Sequence, residues 1–214
     1  MLIRAEKKQQ TRQALLDAAL QLTAAGQGLS TISLREVTRQ VGIVPAAFYR
    51  HFQDMDELGL AIVEQVGSSF REAIRLVRRN EFEQQGAINA SVHIFVEYVV
   101  AHKTLFLFLA REQYGGSALV RQAIGAMQQH FIDDLEADLA QSPKLTHLGA
   151  ADYAVVANLI VRTVFSTLPE LINPPEDAVL HGRSPEHQLE DKIRFILIGA
   201  KHWRGITASK DGTD

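Results

Sequence analysis

Apolar positions recur along this chain at intervals of three and four. Leu15, Ala18, Ala19 and Leu22 share one face of a first helix that closes near Gly26. A short second helix begins at Ser33, with Glu36 three residues on. That is a capping box, in which hydroxyl and carboxylate each satisfy an otherwise orphaned backbone N–H. Leu34, Val37 and Val41 form its apolar face, and Gly42 stops it. Pro45, pre-shaped for a first helical turn, opens a third helix that buries Phe48 and Phe52. Asp54 and Glu57 repeat the capping pattern ahead of a long fourth helix through Leu58, Ile62, Val66, Phe70, Ile74 and Val77.

The same period predicts a fifth helix around Ile88, Val92, Phe95, Val96 and Val99, and a very apolar sixth over 104–112. Gly115–Gly116 breaks the chain. Further helices are expected over 117–141, 149–168 and 184–206, with Pro169, Pro174, Pro175 and Pro185 stiffening the last connection. There is no strand pattern and no internal repeat. The expected fold class is all-α, with about nine helices.

Composition narrows the function classes. The chain has 214 residues, 46% hydrophobic and 22% charged, as in ordinary globular proteins. It has no cysteine, which excludes disulfides, thiolate zinc sites and cysteine nucleophiles. No uncharged apolar run reaches the ~18–20 residues of a membrane span, since Tyr153–Val161 stops at Arg162. The start, MLIRAEKKQQ, is basic without an apolar stretch, so it is not a secretion signal and a cytoplasmic protein is expected. Walker-type loops, G-x-S-x-G and H-E-x-x-H are missing, so neither catalysis nor a cofactor is expected. The eight histidines are scattered; only His93 with Glu97 has i, i+4 spacing, and no third ligand is near in sequence, so no metal is expected. The net charge of −3 divides into +4 over residues 1–52 and −7 over the remainder. A basic head on an acidic body suits a head that approaches a polyanion.

Within that head, ISLREVTRQVGIVPAAFYRHF (residues 32–52) has the parts of a helix-turn-helix: a capped helix, the turn Gly42-Ile43-Val44, and a second short helix. Val44, Pro45, Ala46 and Ala47 are compact where the second helix would enter a major groove, and the alanine methyls suit a thymine methyl. Tyr49, Arg50 and His51, with Ser33 and Arg35 on the preceding helix, can donate to phosphates. An ordinary helical hairpin with a solvated polar face fits the spacing too.

LREVTRQVGIVPAAFYRHFQDMDEL resembles the DNA-binding segment of the TetR family of bacterial repressors. One departure is Val44, where the family usually has a Ser or Thr cap; its loss costs on the order of 1 kcal/mol. RAEKKQQTRQALLDAA, SLREVTRQVGIVPAAFYRHFQDMDELGL and FLFLAREQYGGSALVRQAI are similar to the TetR-type regulators of unsaturated fatty-acid synthesis, the FabR and DesT types. The resemblance implies an all-helical homodimer on a pseudo-palindromic double-stranded operator. It also implies a three-helix DNA-binding domain over 1–53 and a ligand-binding and dimerisation domain over 54–208. The effector it implies is a long-chain acyl-CoA, with unsaturated distinguished from saturated chains.

The second domain has candidates for both roles. Leu189, Ile193, Ile196, Ala200 and Trp203 alternate steps of four and three, the seam pattern of helix pairing. With Tyr153, Val156 and Ile160 they form the expected dimer interface, although the same faces can complete a monomer core. Phe95, Val99, Phe106, Leu109, Met127, Phe131 and Phe165 are candidate ligand-lining residues, with Arg111 and Glu112 at the pocket mouth. Arg71, Arg75, Arg78 and Arg121 can meet a phosphate-bearing head group or simply face solvent. An acyl slot and a plain core use the same residue types. A repressor sensing another hydrophobic molecule, drug or signal, remains open, as does a helical lipid carrier or enzyme.

Overall fold

The computed structural model describes residues 2–78, 87–174 and 182–205, with side chains for 5–76, 88–174 and 182–205. The expected positions of Val77, Arg78, Pro175, Ile206 and the tail from Ser209 lie outside the described side chains. The described elements are α1 (Leu2–Ala24), α2 (Leu34–Val41), α3 (Pro45–Phe48), α4 (Met55–Arg78), α5 (Ala87–Ala101), α6 (Lys103–Glu112), α7 (Ala118–Ala140), α8 (Ala150–Ile172) and α9 (Pro185–His202). The fold is all-α, and no strand occurs among the described residues. The helices fall into two compact units, one of Met1–Ala73 with Val99–Gly125, the other of Ile74–Tyr98 with Ala126–Asp214.

In the first unit α1 packs on α2 and α6, and α2 on α3. α1 begins well ahead of its apolar face: Leu15, Leu16, Ala18 and Ala19 are buried, while residues 5–10 are exposed. The capping box forms as the sequence indicates, with Glu36 N–H donating to Ser33 Oγ at 3.2 Å and Ser33 N–H to Glu36 Oε2 at 2.8 Å. That backbone N–H, and secondly the Ser33 hydroxyl, hold the Glu36 carboxyl below its ordinary range. Gly42 ends α2 in the left-handed region at φ 76°, its N–H turned back to Arg39 and Thr38 carbonyls.

The helix opened by Pro45 is shorter than the sequence suggests. Val44 offers no side-chain cap, and α-helix ends at Phe48. The chain continues as a tight turn, with Arg50 N–H on Ala47 O at 3.2 Å and His51 N–H on Phe48 O at 2.8 Å. Phe48 and Phe52, both buried with ring centroids 5.7 Å apart, anchor that turn from beneath.

In the second unit α8 and α9 pack together. The sequence places a stop at Pro169, but α8 runs through it to Ile172. Proline there removes one helical donor and crowds the carbonyl four residues back, a cost of about 3 kcal/mol that packing has to offset. Buried Leu168, Leu171 and Ile172 hold the final turn, and Thr167 Oγ1 donates to Thr163 O at 2.7 Å. By length and composition α8 is long and apolar enough to cross a membrane, more so than the break at Arg162 indicated. It also buries Val156, Ala157, Val161 and Phe165, as a core helix does. α9 starts on the Ser184 cap and ends at His202, so Trp203 is extended rather than helical.

Candidate nucleic-acid interface

The apolar underside of α2 and α3 fixes what their other sides present. Val37, Phe48 and Phe52 are buried, so Val44, Pro45, Ala46, Tyr49 and Arg50 all face water, Val44 at 68% and Tyr49 at 65% exposure. Large apolar groups are left in solvent on a folded domain chiefly where something is to cover them. Tyr49 stands edge-on to Phe48 with ring centroids 5.9 Å apart, which steadies the ring and leaves its hydroxyl outward. Ala47 is half-buried, and Arg35 and Ser33 are exposed. The Ser33 hydroxyl donates to Glu36 at 2.7 Å, so it is committed to the cap.

His51 is half-buried, with Nδ1 out of solvent and unpartnered. Burial first, then the charges of Lys8, Arg12 and Arg50, lower its pKa below the ordinary imidazole value. The ring is therefore uncharged at neutral pH. A bare buried lone pair costs less than an unpaired buried N–H, so Nε2 carries the hydrogen and is the available donor. Lys8 and Arg12, one helical turn apart on α1, thus join Arg50 and His51 in one basic cluster, and the Arg12 guanidinium lies 4.9 Å from the centroid of the Phe52 ring. Sequence reasoning had not placed these two among the interface residues, although their spacing of four on the basic head is the signal that finds them.

The charge states give a distinguishing prediction. Arg50→Ala should weaken duplex binding and reduce the slope of log affinity against log salt by about 1, because a phosphate loses its paired cation. His51→Ala should weaken binding and leave the slope unchanged near neutral pH, since an uncharged donor displaces no counterion. Fluorescence anisotropy across a salt series reads both; a reduced slope for His51→Ala would show the ring to be charged in the complex.

Two family profiles match the chain. One, described as "Tetracyclin repressor-like, C-terminal domain", covers residues 84–199, and the other, "Bacterial regulatory proteins, tetR family", covers residues 15–62. The chain belongs to the TetR family. The exposed helix-turn-helix lies inside the segment that the tetR-family profile matches, and the chain is a TetR-family transcriptional regulator. Solved structures share the fold at low identity. The fatty acid degradation regulator FadR from Bacillus halodurans is 13% identical with a TM-score of 0.64, over 88% of this chain and 95% of that one. NalD, the secondary repressor of the MexAB-OprM multidrug efflux pump in Pseudomonas aeruginosa, is 20% identical with a TM-score of 0.62, over 91% and 97%. AibR, solved with isovaleryl coenzyme A and operator DNA, is 17% identical with a TM-score of 0.57, over 88% and 97%.

The candidate ligand residues of this TetR-family chain divide between the units. Val99, Phe106 and Leu109 are fully buried in the first, where Phe106 lies 5.9 Å from the Phe70 ring. Arg111 in the same unit is exposed. Phe95, Met127, Phe131 and Phe165 are buried in the second, the last two 6.4 Å apart. Glu112 is not at a pocket mouth: its carboxylate is buried against the turn before α2 and accepts from Leu29 N–H. Arg121 is turned back onto the Gly115 and Gly116 carbonyls, and Arg71 donates to Ser68 Oγ at 3.0 Å.

The expected dimer seam divides as well. Leu189 is fully buried in its own subunit, in a cluster with Val92 and Leu171 against which Ile193 packs. Val156 and Ala200 are also buried, Tyr153 donates to Leu145 O at 2.9 Å, and Trp203 Nε1 donates to Asp152 Oδ1 at 2.9 Å. Ile160 and Ile196 are half-buried. The outward apolar groups lie beside that seam: Val155 and Leu159 on α8, Phe195 and Ile198 on α9. The fold does supply a third group beside His93 and Glu97, as His93 Nδ1 lies 2.9 Å from Glu186 and Nε2 lies 3.4 Å from Glu97. The carboxylates sit on opposite ring nitrogens, the geometry of an ion pair, and no metal-holding group of three occurs among the described residues. The Glu186 hydrogen bond, then the Glu97 charge, raise the His93 pKa, so the pairing is charged at acidic pH and fades as pH rises through that raised value.

Proposed function

We propose that this TetR-family regulator is a cytoplasmic homodimeric repressor of unsaturated fatty-acid synthesis genes that senses long-chain acyl-CoA. The observation that carries the effector class is the stretch FLFLAREQYGGSALVRQAI (residues 106–124), with its similarity to regulators of that pathway. Two fold neighbours support the chemistry, one regulating fatty acid degradation and one holding a short acyl-CoA. The apolar interior is adequate to the task. Each methylene buried contributes ~0.8 kcal/mol, so a narrow slot suffices for a long chain.

In this mechanism two recognition helices, one per subunit, sit about 34–36 Å apart in successive major grooves. The effector acts only through different affinities for the arrangements that do and do not match that spacing. Unsaturated thioesters favour the DNA-competent arrangement and saturated ones the other. Oleoyl-CoA and palmitoyl-CoA should therefore separate operator affinity by about 5- to 150-fold, the usual range of allosteric coupling, in an electrophoretic shift on a selected operator. Equal affinity under both rejects acyl sensing. The NalD similarity favours a second reading, a repressor responding to another hydrophobic molecule. Native mass spectrometry of the purified protein decides between a co-purified acyl species and a different cargo.

A further inference from the structure

α6 ends against the turn that joins α1 to α2, and the contact there is polar in apolar surroundings. Glu112, the last residue of α6, is 1% exposed. Its Oε1 accepts the Leu29 N–H at 2.9 Å across 83 positions of sequence, while Oε2 is buried without a hydrogen-bond partner. A carboxylate held dry with one oxygen unpaired is costly, so the bond that it does make constrains both ends tightly.

The backbone around it is fitted to the group. A Cβ on Gly115 would fall 2.0 Å from Glu112 Oε2, one on Gly116 2.3 Å from Ser30 Oγ, and one on Gly59 2.4 Å from Leu29 Cδ2. Ser117 donates to Asp56 at 2.7 Å, which ties the start of α7 to the start of α4. The turn 28–32 leads directly into Ser33, the cap of α2.

We propose that Glu112 is a positioning residue for the DNA-binding face. Its hold on the Leu29 amide seats the α2–α3 pair on the end of α6, so that DNA affinity depends on the α6–α7 corner as well as on the side chains at the duplex. The affinity half of this inference rests on the DNA-binding reading. The geometric half does not.

A chain without cysteine makes the geometry measurable. Gln40→Cys on α2 and Gln122→Cys on α7, both at exposed positions of the first unit, carry two spin labels, and excess unlabelled protein limits the signal to distances within one chain. The parent should give a narrow distribution. Glu112→Ala should broaden it, speed exchange of the Leu29 amide about tenfold or more and weaken random-duplex binding at low salt about tenfold, the scale of one lost charge-assisted hydrogen bond. Glu112→Gln, whose amide oxygen still accepts from Leu29, should stay near the parent in all three, whereas Glu112→Met, which fills similar space without that acceptor, should follow the alanine variant; a Met variant like the parent would reduce Glu112 to packing and overturn the proposal. Gly115→Ala covers the case in which Glu112→Ala does not fold. Its backbone lies outside the left-handed region, so the added methyl acts by displacing Oε2 and should reproduce the alanine variant. Narrow distributions in both Glu112→Ala and Gly115→Ala overturn the proposal, as does equal impairment of the Gln and Ala variants. Failure of the parent to bind any duplex removes the DNA-binding reading, while distance and exchange still decide the role of Glu112.

Discussion

Phe48→Ala should abolish DNA binding without touching a DNA-facing atom. The ring is 0% exposed and packs between Tyr49 and Phe52. Truncating a buried phenylalanine costs about 3–5 kcal/mol, the lost transfer energy plus the cavity left behind. The α-helix above it is only Pro45–Phe48 and has no side-chain cap, so the turn leans heavily on the Phe48–Phe52 pair beneath it. Loss falls first on the local stability of α2 and α3, because the remaining helices keep their own cores. Calorimetry should therefore show a melting temperature lowered by roughly 10 °C, at about 2–4 °C per kcal/mol for a chain of this size. Duplex binding at 25 °C should vanish, while α-helical circular dichroism stays mostly intact. Phe48→Leu, nearer in volume, should cost less and keep most of the binding. A Phe48→Ala protein that binds duplex like the parent would mean that the ring does not support the recognition turn.

That expectation depends on features that were legible because they are local. Ser33 and Glu36 are three residues apart, and a capping box needs nothing more distant. Gly42 had to adopt a left-handed turn for α2 to end, and it does. Legibility failed where tertiary contacts decide. Pro169 reads as a stop, yet the buried Leu168, Leu171 and Ile172 carry the helix past it. The pairing of Glu112 with Leu29 spans 83 positions, and no periodicity announces a buried carboxylate at the end of an apolar helix. The seam on α9 shows the limit of periodicity. A repeat of four and three marks an apolar stripe, and within it Leu189 is buried in its own subunit, Ile193 and Ile196 are half-buried and Trp203 is 52% exposed. An inward stripe and a partner-facing stripe obey the same period, and only the packing of Val92 and Leu171 tells them apart.

The outward apolar face beside that seam carries the second large effect. Phe195 is 81% exposed, Ile198 54%, Leu159 48% and Val155 47%, on two helices that pack together in the second unit. Phe195→Lys should convert the dimer to a monomer. A two-fold interface carries the substitution twice, so a charge is desolvated at each of two symmetry-related places where an aromatic ring had been. The subunit itself should melt as before, since the parent ring touches mostly water. Leu189→Ala should do the opposite, costing about 2–5 kcal/mol of subunit stability through a core cavity, with dimerisation affected only secondarily. Operator affinity of Phe195→Lys should fall by about 10²–10⁴, the avidity contributed by holding two half-sites at once. Sedimentation equilibrium with anisotropy on the same samples reads both quantities. Should Phe195→Lys stay dimeric at the parent's dissociation constant, the partner surface lies elsewhere. If it becomes monomeric with unchanged affinity, a single helix-turn-helix is binding DNA alone, and the two-half-site geometry is wrong.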